Sequence, residues 1–310
     1  MKNDFLKHMI RNFKIGLNAY IIRKNQKEIV ALSKSNKSIY LNPVPSYTCG
    51  GNIKHYYHFI FDLLLPLSFL IRNTTSDVVF VLKDFGVLTA VLKDVFDSRI
   101  RVALDFDDAS IPQIELIGMN PYGVNINQFE YKWLKHYLMN ALDIPVSKKR
   151  NKIILIERVS PDVYSTKKAI REGGGGLCRS INNHKELKDA LQQAVNQNYE
   201  FHNLRLENLS FKEQITIFDS AALVIAQHGA GLSNILWMHK NSAVVEFGYR
   251  EIDCFGRLAK AIHLNYHVFN SQTKQKHIEV DCIELLDLLT QNKKTSHLVE
   301  SIKTNTYSPL

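Results

Sequence analysis

Residues 214–248 read QITIFDSAALVIAQHGAGLSNILWMHKNSAVVEFG, and the order of patterns within them decides the fold class. A helical segment leads to Ala221. Ala222 to Ala226 is a short unbroken apolar run, as expected of a parallel strand buried on both faces. His228-Gly229-Ala230-Gly231 then turns the chain, Leu232 to Met238 continues with helical character, and Val244 to Phe247 makes the next strand. A helix that begins at the carboxyl end of a parallel strand presents unsatisfied N–H groups and the positive end of its dipole. Such an end suits a phosphate. Glycine at 229 and 231 leaves backbone open that a Cβ would shield, and Ser233 and Asn234 add short polar side chains in the first turn. Taken alone, the glycines fit a plain strand-to-helix turn equally well, because short glycine motifs recur by chance.

Working outward, strands and helices alternate. Strands are expected at Val78–Lys83, Arg101–Leu104, Lys152–Glu157 and Tyr266–Phe269. Helices are expected at Val87–Phe96, Phe129–Leu142, Lys185–Val195, Lys212–Ala221, Phe255–Ile262 and Ile283–Leu289, with a further apolar helix over Tyr57–Leu70. Alternation of this kind implies parallel sheets covered by helices. A boundary falls at Asp143–Asn151, where a helix ends and the polar run Ser147–Asn151 follows. That gives two Rossmann-like domains, 1–146 and 147–310, each long enough to bury its own core.

Three blocks in order then carry a family resemblance. The first is His58 and Asp62 followed by Pro66. The second is Ile153 to Arg158, with Arg179-Ser180-Ile181-Asn182-Asn183 and Glu186-Leu187 behind it. The third joins Glu213-Gln214, Ala221, His228 to Leu232, Ser233-Asn234 and Val245-Glu246. Over roughly residues 50 to 270 the chain resembles glycosyltransferase family 61, and within it a bacterial, capsular-polysaccharide-type member. It departs from the family pattern in two places: Glu157 stands where Ser is usual, and one extra residue precedes Pro66. The resemblance implies a GT-B fold, with two Rossmann-like domains whose parallel sheets face across a cleft. The N-terminal one would bind the acceptor and the C-terminal one a nucleotide sugar, a UDP-linked one by expectation. It further implies an inverting transfer to capsule or lipopolysaccharide, with no essential metal.

Such a reaction sets two chemical tasks. A leaving nucleoside diphosphate needs positive potential aimed at its phosphates. The turn His228, Gly229, Ala230, Gly231, with Ser233 and Asn234, would supply it. Arg158 or Arg179 would add a bidentate grip. Glu246 ends an apolar strand, where a carboxylate needs partners, and a ribose diol would satisfy it. The second task is to remove the acceptor proton. His58 and Asp62 are spaced i, i+4, so a helix puts them on one face, one as base and the other orienting it. Asp62 is taken as the base. Without the resemblance, Arg158 reads as a surface arginine, His228 as a structural histidine and Asp62 as a capping or pairing group.

Other readings stay in view. Asp105 and Asp107 form a DxD after an apolar strand, a pattern suited to Mg²⁺ or Mn²⁺ in a metal-dependent transferase, though a solvated acidic turn accounts for it. A non-catalytic glycan- or nucleotide-binding protein of the same fold is the alternative from another class. The four cysteines lack CxxC spacing, so neither a zinc site nor a disulfide framework is indicated. No apolar stretch is long enough to span a bilayer, and no signal-peptide pattern is evident, which favours a cytoplasmic protein. The net charge is +9, with basic residues crowded between Lys2 and Lys27 among Phe5, Leu6, Met9, Ile10 and Phe13. That pattern fits either peripheral contact with an anionic inner membrane or a helix with one solvated face. No recognition motif accompanies the charge, which argues against nucleic acid.

Overall fold

The computed structural model describes residues 2–45, 53–103, 110–121, 128–158, 180–248, 253–274 and 277–300. Two parallel sheets dominate, and the chain divides into two compact units. Unit 1 comprises Met1–Ile144 together with Ile252–Ile262; unit 2 comprises Pro145–Glu251 and His263–Leu310.

Unit 1 holds four parallel strands: β1 (Ser38–Val44), β2 (Val79–Lys83), β3 (Ile100–Ala103) and β4 (Gln113–Ile117), in the order β3-β2-β1-β4. β1 is central although it contains Pro43, which has no N–H to give to a ladder. The proline is tolerated because it sits next to the last residue of the strand, and the carbonyl of Val44 still accepts from the Gly118 N–H at 2.7 Å. A 31-residue helix, α1 (Lys2–Leu32), opens the unit. Its second half packs on the sheet through Ile22 and Ile29.

The apolar run after β1 is helical but not uniform. A short turn, α2 (Tyr56–His58), passes into a π-helix over Phe59–Leu64 and then into α3 (Leu65–Asn73). Pro66 explains the widening. It cannot donate to the carbonyl of Asp62, four residues back, and its ring would collide with it. Leu65 N–H accordingly bonds to the carbonyl of Ile60, five residues back. A π turn holds one more residue than an α turn. Phe59, Phe61, Leu63, Leu64 and Leu67 are all fully buried; each such side chain contributes about 1.5–3 kcal/mol. Unit 1 is completed by α4 (Val87–Phe96), α5 (Gln128–Ala141) and a helix that returns late in the chain, Cys254–Ala261. On the returning helix, Phe255 meets Tyr57 edge-on at 5.7 Å, and Arg257 Nη1 donates to the Pro121 carbonyl at 3.1 Å.

Unit 2 carries β5 (Lys152–Ile156), β6 (Glu200–Leu204), β7 (Ala221–Gln227), β8 (Ala243–Gly248) and β9 (Asn265–Asn270), all parallel, in the order β6-β5-β7-β8-β9. Every residue of β7 is buried, as its unbroken apolar run requires. The edge strand β6 is half-buried and polar. Ile153, Leu155, Leu223, Ile225, Val245 and Phe247 form the centre of the core, under α6 (His184–Ala194). A small antiparallel pair, β10 (Gln272–Lys274) with β11 (His277–Glu279), lies before the last helix, Cys282–Gln291.

Candidate active site

In unit 2 the turn after β7 is set by the helix that precedes it. Phe211–Asp219, α7, begins with a capping box: Ser210 Oγ accepts from the Glu213 N–H while the Glu213 carboxylate accepts from Ser210. The next residue, Gln214, is buried and ties three segments together. Its Nε2 donates to the carbonyls of Leu206 (3.0 Å) and Leu209 (3.1 Å), and its Oε1 accepts from Asn234 Nδ2 at 3.0 Å. Asn234 is itself fully buried; it also donates to the Gly231 carbonyl (3.2 Å) and accepts from Trp237 Nε1 (3.0 Å). Asn234 therefore works as a strut under the turn. The segment after the turn is a 3₁₀-helix, Ala230–Trp237, in place of the expected α-helix.

Gly229, Ala230 and Gly231 remain half-exposed above this buttress. Gly229 has an extended backbone, so its lack of a side chain serves close approach. A Cβ there would lie 2.6 Å from Arg158 Nη1. Arg158, two residues past the end of β5, thus lays its guanidinium across Gly229. At Gly231 a Cβ would meet Leu206 Cδ1 at 3.0 Å, a packing constraint. Ser233 is fully buried, and its hydroxyl has no hydrogen-bond partner among the described residues; the same holds for Oε1 of Gln227, the last residue of β7. Buried polar atoms left open in this way ask for an explanation.

His228 follows Gln227 directly. Its Nδ1 is hydrogen-bonded to Glu246 Oε1, and Tyr266 on β9 donates its hydroxyl to Glu246 Oε2. The parallel register, Ala226 opposite Glu246, sets His228 and Glu246 side by side towards the carboxyl ends of β7 and β8, and Tyr266, opposite Val244, reaches them from the start of β9. Glu246 is 3% exposed and has a partner on each oxygen. Its hydrogen bond fixes the ring of His228. Tyr266 carried no signal in the sequence beyond its place in a short strand, and Gln227 none beyond preceding the histidine.

Unit 1 holds a second histidine–carboxylate pair. His58 Nδ1 lies 2.6 Å from Asp62 Oδ2 across the π turn. Asn120 Nδ2 donates to both Asp62 oxygens, at 3.0 and 3.3 Å. Asp62 and Asn120 are 0% exposed and His58 is 8% exposed. Gly118, just past β4, makes room for them, since a Cβ there would sit 2.0 Å from Asp62 Oδ1. With Asp62 ionised, Nδ1 carries the proton and donates, which makes Nε2 the basic nitrogen of the ring. Asn120 is far from Asp62 in sequence, and nothing there marked it.

Glu157 is a structural tie between β5 and β6. It accepts from Arg205 Nη2 at 2.7 Å and from Asn203 Nδ2 at 2.8 Å. The Arg205 hydrogen bond, aided by Asn203, holds its carboxyl below the ordinary value. Arg179, Asp105 and Asp107 lie outside the described residues. Among the described residues, no cluster of three or more His, Cys, Asp or Glu is arranged to hold a metal ion.

The fold and these sites define an α/β protein of two parallel-sheet units, each with a buried histidine–carboxylate pair at the carboxyl edge of its sheet. Residues 56–245, more than half of the chain, match the Glycosyltransferase 61 family. The chain belongs to that family and is a glycosyltransferase. No curated protein matches it.

Proposed function

We propose that the protein is an inverting transferase of GT-B architecture that moves a sugar from a nucleoside-diphosphate donor, UDP-linked, to a glycan or glycolipid acceptor of the cell surface, capsule or lipopolysaccharide. Unit 2 holds the donor and unit 1 the acceptor. The observation that carries this reading is the guanidinium of Arg158 laid over Gly229, beside His228 and the open start of a helix. Cationic and N–H groups gathered at the carboxyl edge of a parallel sheet suit a diphosphate. In the reaction the acceptor hydroxyl gives its proton to His58 Nε2 as its oxygen attacks the anomeric carbon. The bond from that carbon to the phosphate oxygen breaks, and the charge left on the diphosphate is met by Arg158, His228 and the turn's N–H groups. This reading gives His58 the role of base, which the sequence-based expectation gave to Asp62. A carboxylate with no exposed surface and three hydrogen bonds is placed to orient, and the histidine beside it to act as base.

A thermal-shift titration with UDP, GDP, CDP, CMP and ADP, each with EDTA or with Mn²⁺, tests the donor site, because a ligand of the folded state raises the melting temperature. A shift with one nucleoside diphosphate in EDTA is expected, and Arg158→Ala should abolish it. A shift that needs Mn²⁺ would favour the reading in which Asp105 and Asp107 hold a metal. No shift under any condition would favour the non-catalytic binding protein.

A further inference from the structure

α1 is 31 residues long, and its second half is seated on unit 1. Ile22, Asn25, Gln26 and Ile29 are buried. Asn25 Nδ2 donates to the Glu115 carbonyl at 2.9 Å, its Oδ1 accepts from the Ile117 N–H at 3.1 Å, and Gln26 Nε2 reaches Met119 Sδ at 3.1 Å. A different side of the same helix is apolar and open. Leu17, Tyr20 and Ile21 are 48%, 66% and 41% exposed. They are spaced i, i+3, i+4, so they stand on one face. In the sequence, Leu6, Ile10 and Phe13 precede them at three- and four-residue intervals. Lys24 and Lys27, both exposed, continue the same spacing downstream, beside the exposed Arg23. Among the described side chains, Leu17, Tyr20 and Ile21 thus share a face turned away from the one that Ile22, Asn25, Gln26 and Ile29 bury.

We propose that this face docks on an anionic lipid bilayer, with α1 lying in the plane of the headgroups. The charge selects the partner. Residues 2–27 hold seven basic residues and one acidic residue, so a second copy of the helix would meet like charge along its length, whereas anionic headgroups complement it. An exposed tyrosine among aliphatic side chains suits the boundary between acyl chains and headgroups, and the lysines beyond it reach the phosphates with their ammonium groups. The helix lies on the membrane and does not cross it: no described helix is long and apolar enough to span one. A transferase held this way meets a lipid-linked acceptor in two dimensions.

The test is co-sedimentation of the full chain with vesicles of phosphatidylcholine alone, or of phosphatidylcholine with about a third phosphatidylglycerol, at low salt and at about 0.5 M salt. Binding is expected only to the anionic vesicles, and should weaken at high salt. Replacing Leu17, Tyr20 and Ile21 together by Ser should weaken it about tenfold or more. Lys24→Gln with Lys27→Gln should weaken it by roughly fivefold for each charge removed. All these side chains are exposed, so an unchanged melting temperature would certify the fold of each variant. Three results would overturn the proposal. They are absence of binding to anionic vesicles, full binding by the triple Ser variant, and a dimer in ultracentrifugation that this variant alone dissolves, which would assign the face to a second copy.

Discussion

The two histidine–carboxylate pairs look alike and are built differently. In unit 1, His58 and Asp62 are four residues apart on a single helical stretch, and the π turn at Pro66 sets their spacing. In unit 2, His228 and Glu246 lie on neighbouring strands, and the parallel register of β7 and β8 brings them together. Each carboxylate has a further partner: Asn120, just past β4, for Asp62, and Tyr266, on the neighbouring strand β9, for Glu246. A local pair depends on one backbone irregularity, whereas a pair across strands depends on the sheet. The first is therefore open to small local changes, and the second is protected by the core beneath it.

If the pairs divide the reaction as proposed, they should fail in different ways. The largest effect is expected in unit 1. His58→Gln should lower kcat by about 10³-fold, within the range of a lost general base, while the melting shift given by the donor nucleotide stays as in the wild type. Asp62→Asn should show the same pattern with a smaller loss. If either variant loses nucleotide binding instead, the assignment of the unit 1 pair to the acceptor is broken.

A smaller effect, of the other kind, is expected in unit 2. Glu246→Gln should weaken the nucleotide-induced shift and reduce kcat/KM about 10- to 100-fold through loss of a preorganised donor. Tyr266→Phe should reduce it only severalfold and destabilise the fold by about 1–2 kcal/mol, because a buried carboxylate oxygen loses its donor. Steady-state kinetics alongside thermal melts would separate the two. A Glu246→Gln variant with unaltered nucleotide affinity would show that the pair does not position a donor ligand.

The smallest effect belongs to Glu157, which serves as the contrast: a carboxylate whose partners, Arg205 and Asn203, tie two strands together. Its value in the folded protein lies below the ordinary 4.5, chiefly through Arg205. Its contribution is therefore present above the unfolded value and is lost as pH falls through the folded one. Glu157→Gln should cost about 1 kcal/mol near neutral pH, a difference that should shrink to nothing in denaturant melts taken below the usual carboxylate range, with kcat unchanged. A large loss of activity would instead give the replacement of Ser by Glu a catalytic meaning.

What the sequence revealed follows from where the physical signal lies. The strand–turn–strand of residues 214–248 was legible because β7 and β8 are buried on both faces and so write unbroken apolar runs. β1 and β6 went unrecognised for opposite reasons. β1 carries Asn42-Pro43, which argue against a central strand. β6, Glu200–Leu204, is a half-buried edge strand with no apolar run. His58 and Asp62 stood out as polar groups in an apolar helix, but the π turn did not. It arises from one missing N–H at Pro66, and an i, i+4 spacing reads the same either way. Asn234 looked like a ligand for an anion because of its position, whereas its partners, Gln214 and Trp237, lie at separations that only the folded turn reveals.

Helix Cys254–Ala261 belongs to unit 1 although most of the chain after residue 145 belongs to unit 2. Its Phe255 covers Tyr57, next to His58, and its Arg257 holds the carbonyl of Pro121, next to Asn120. The shell around the proposed base is thus encoded at two places almost two hundred residues apart. One crossover between the genes of two relatives, placed at the obvious linker near residue 145, would give each hybrid a helix selected to fit the other parent's Tyr57 and Pro121. Acceptor specificity in this lineage should therefore be inherited as two segments exchanged together, and a gene cut once between its halves should not pass it on.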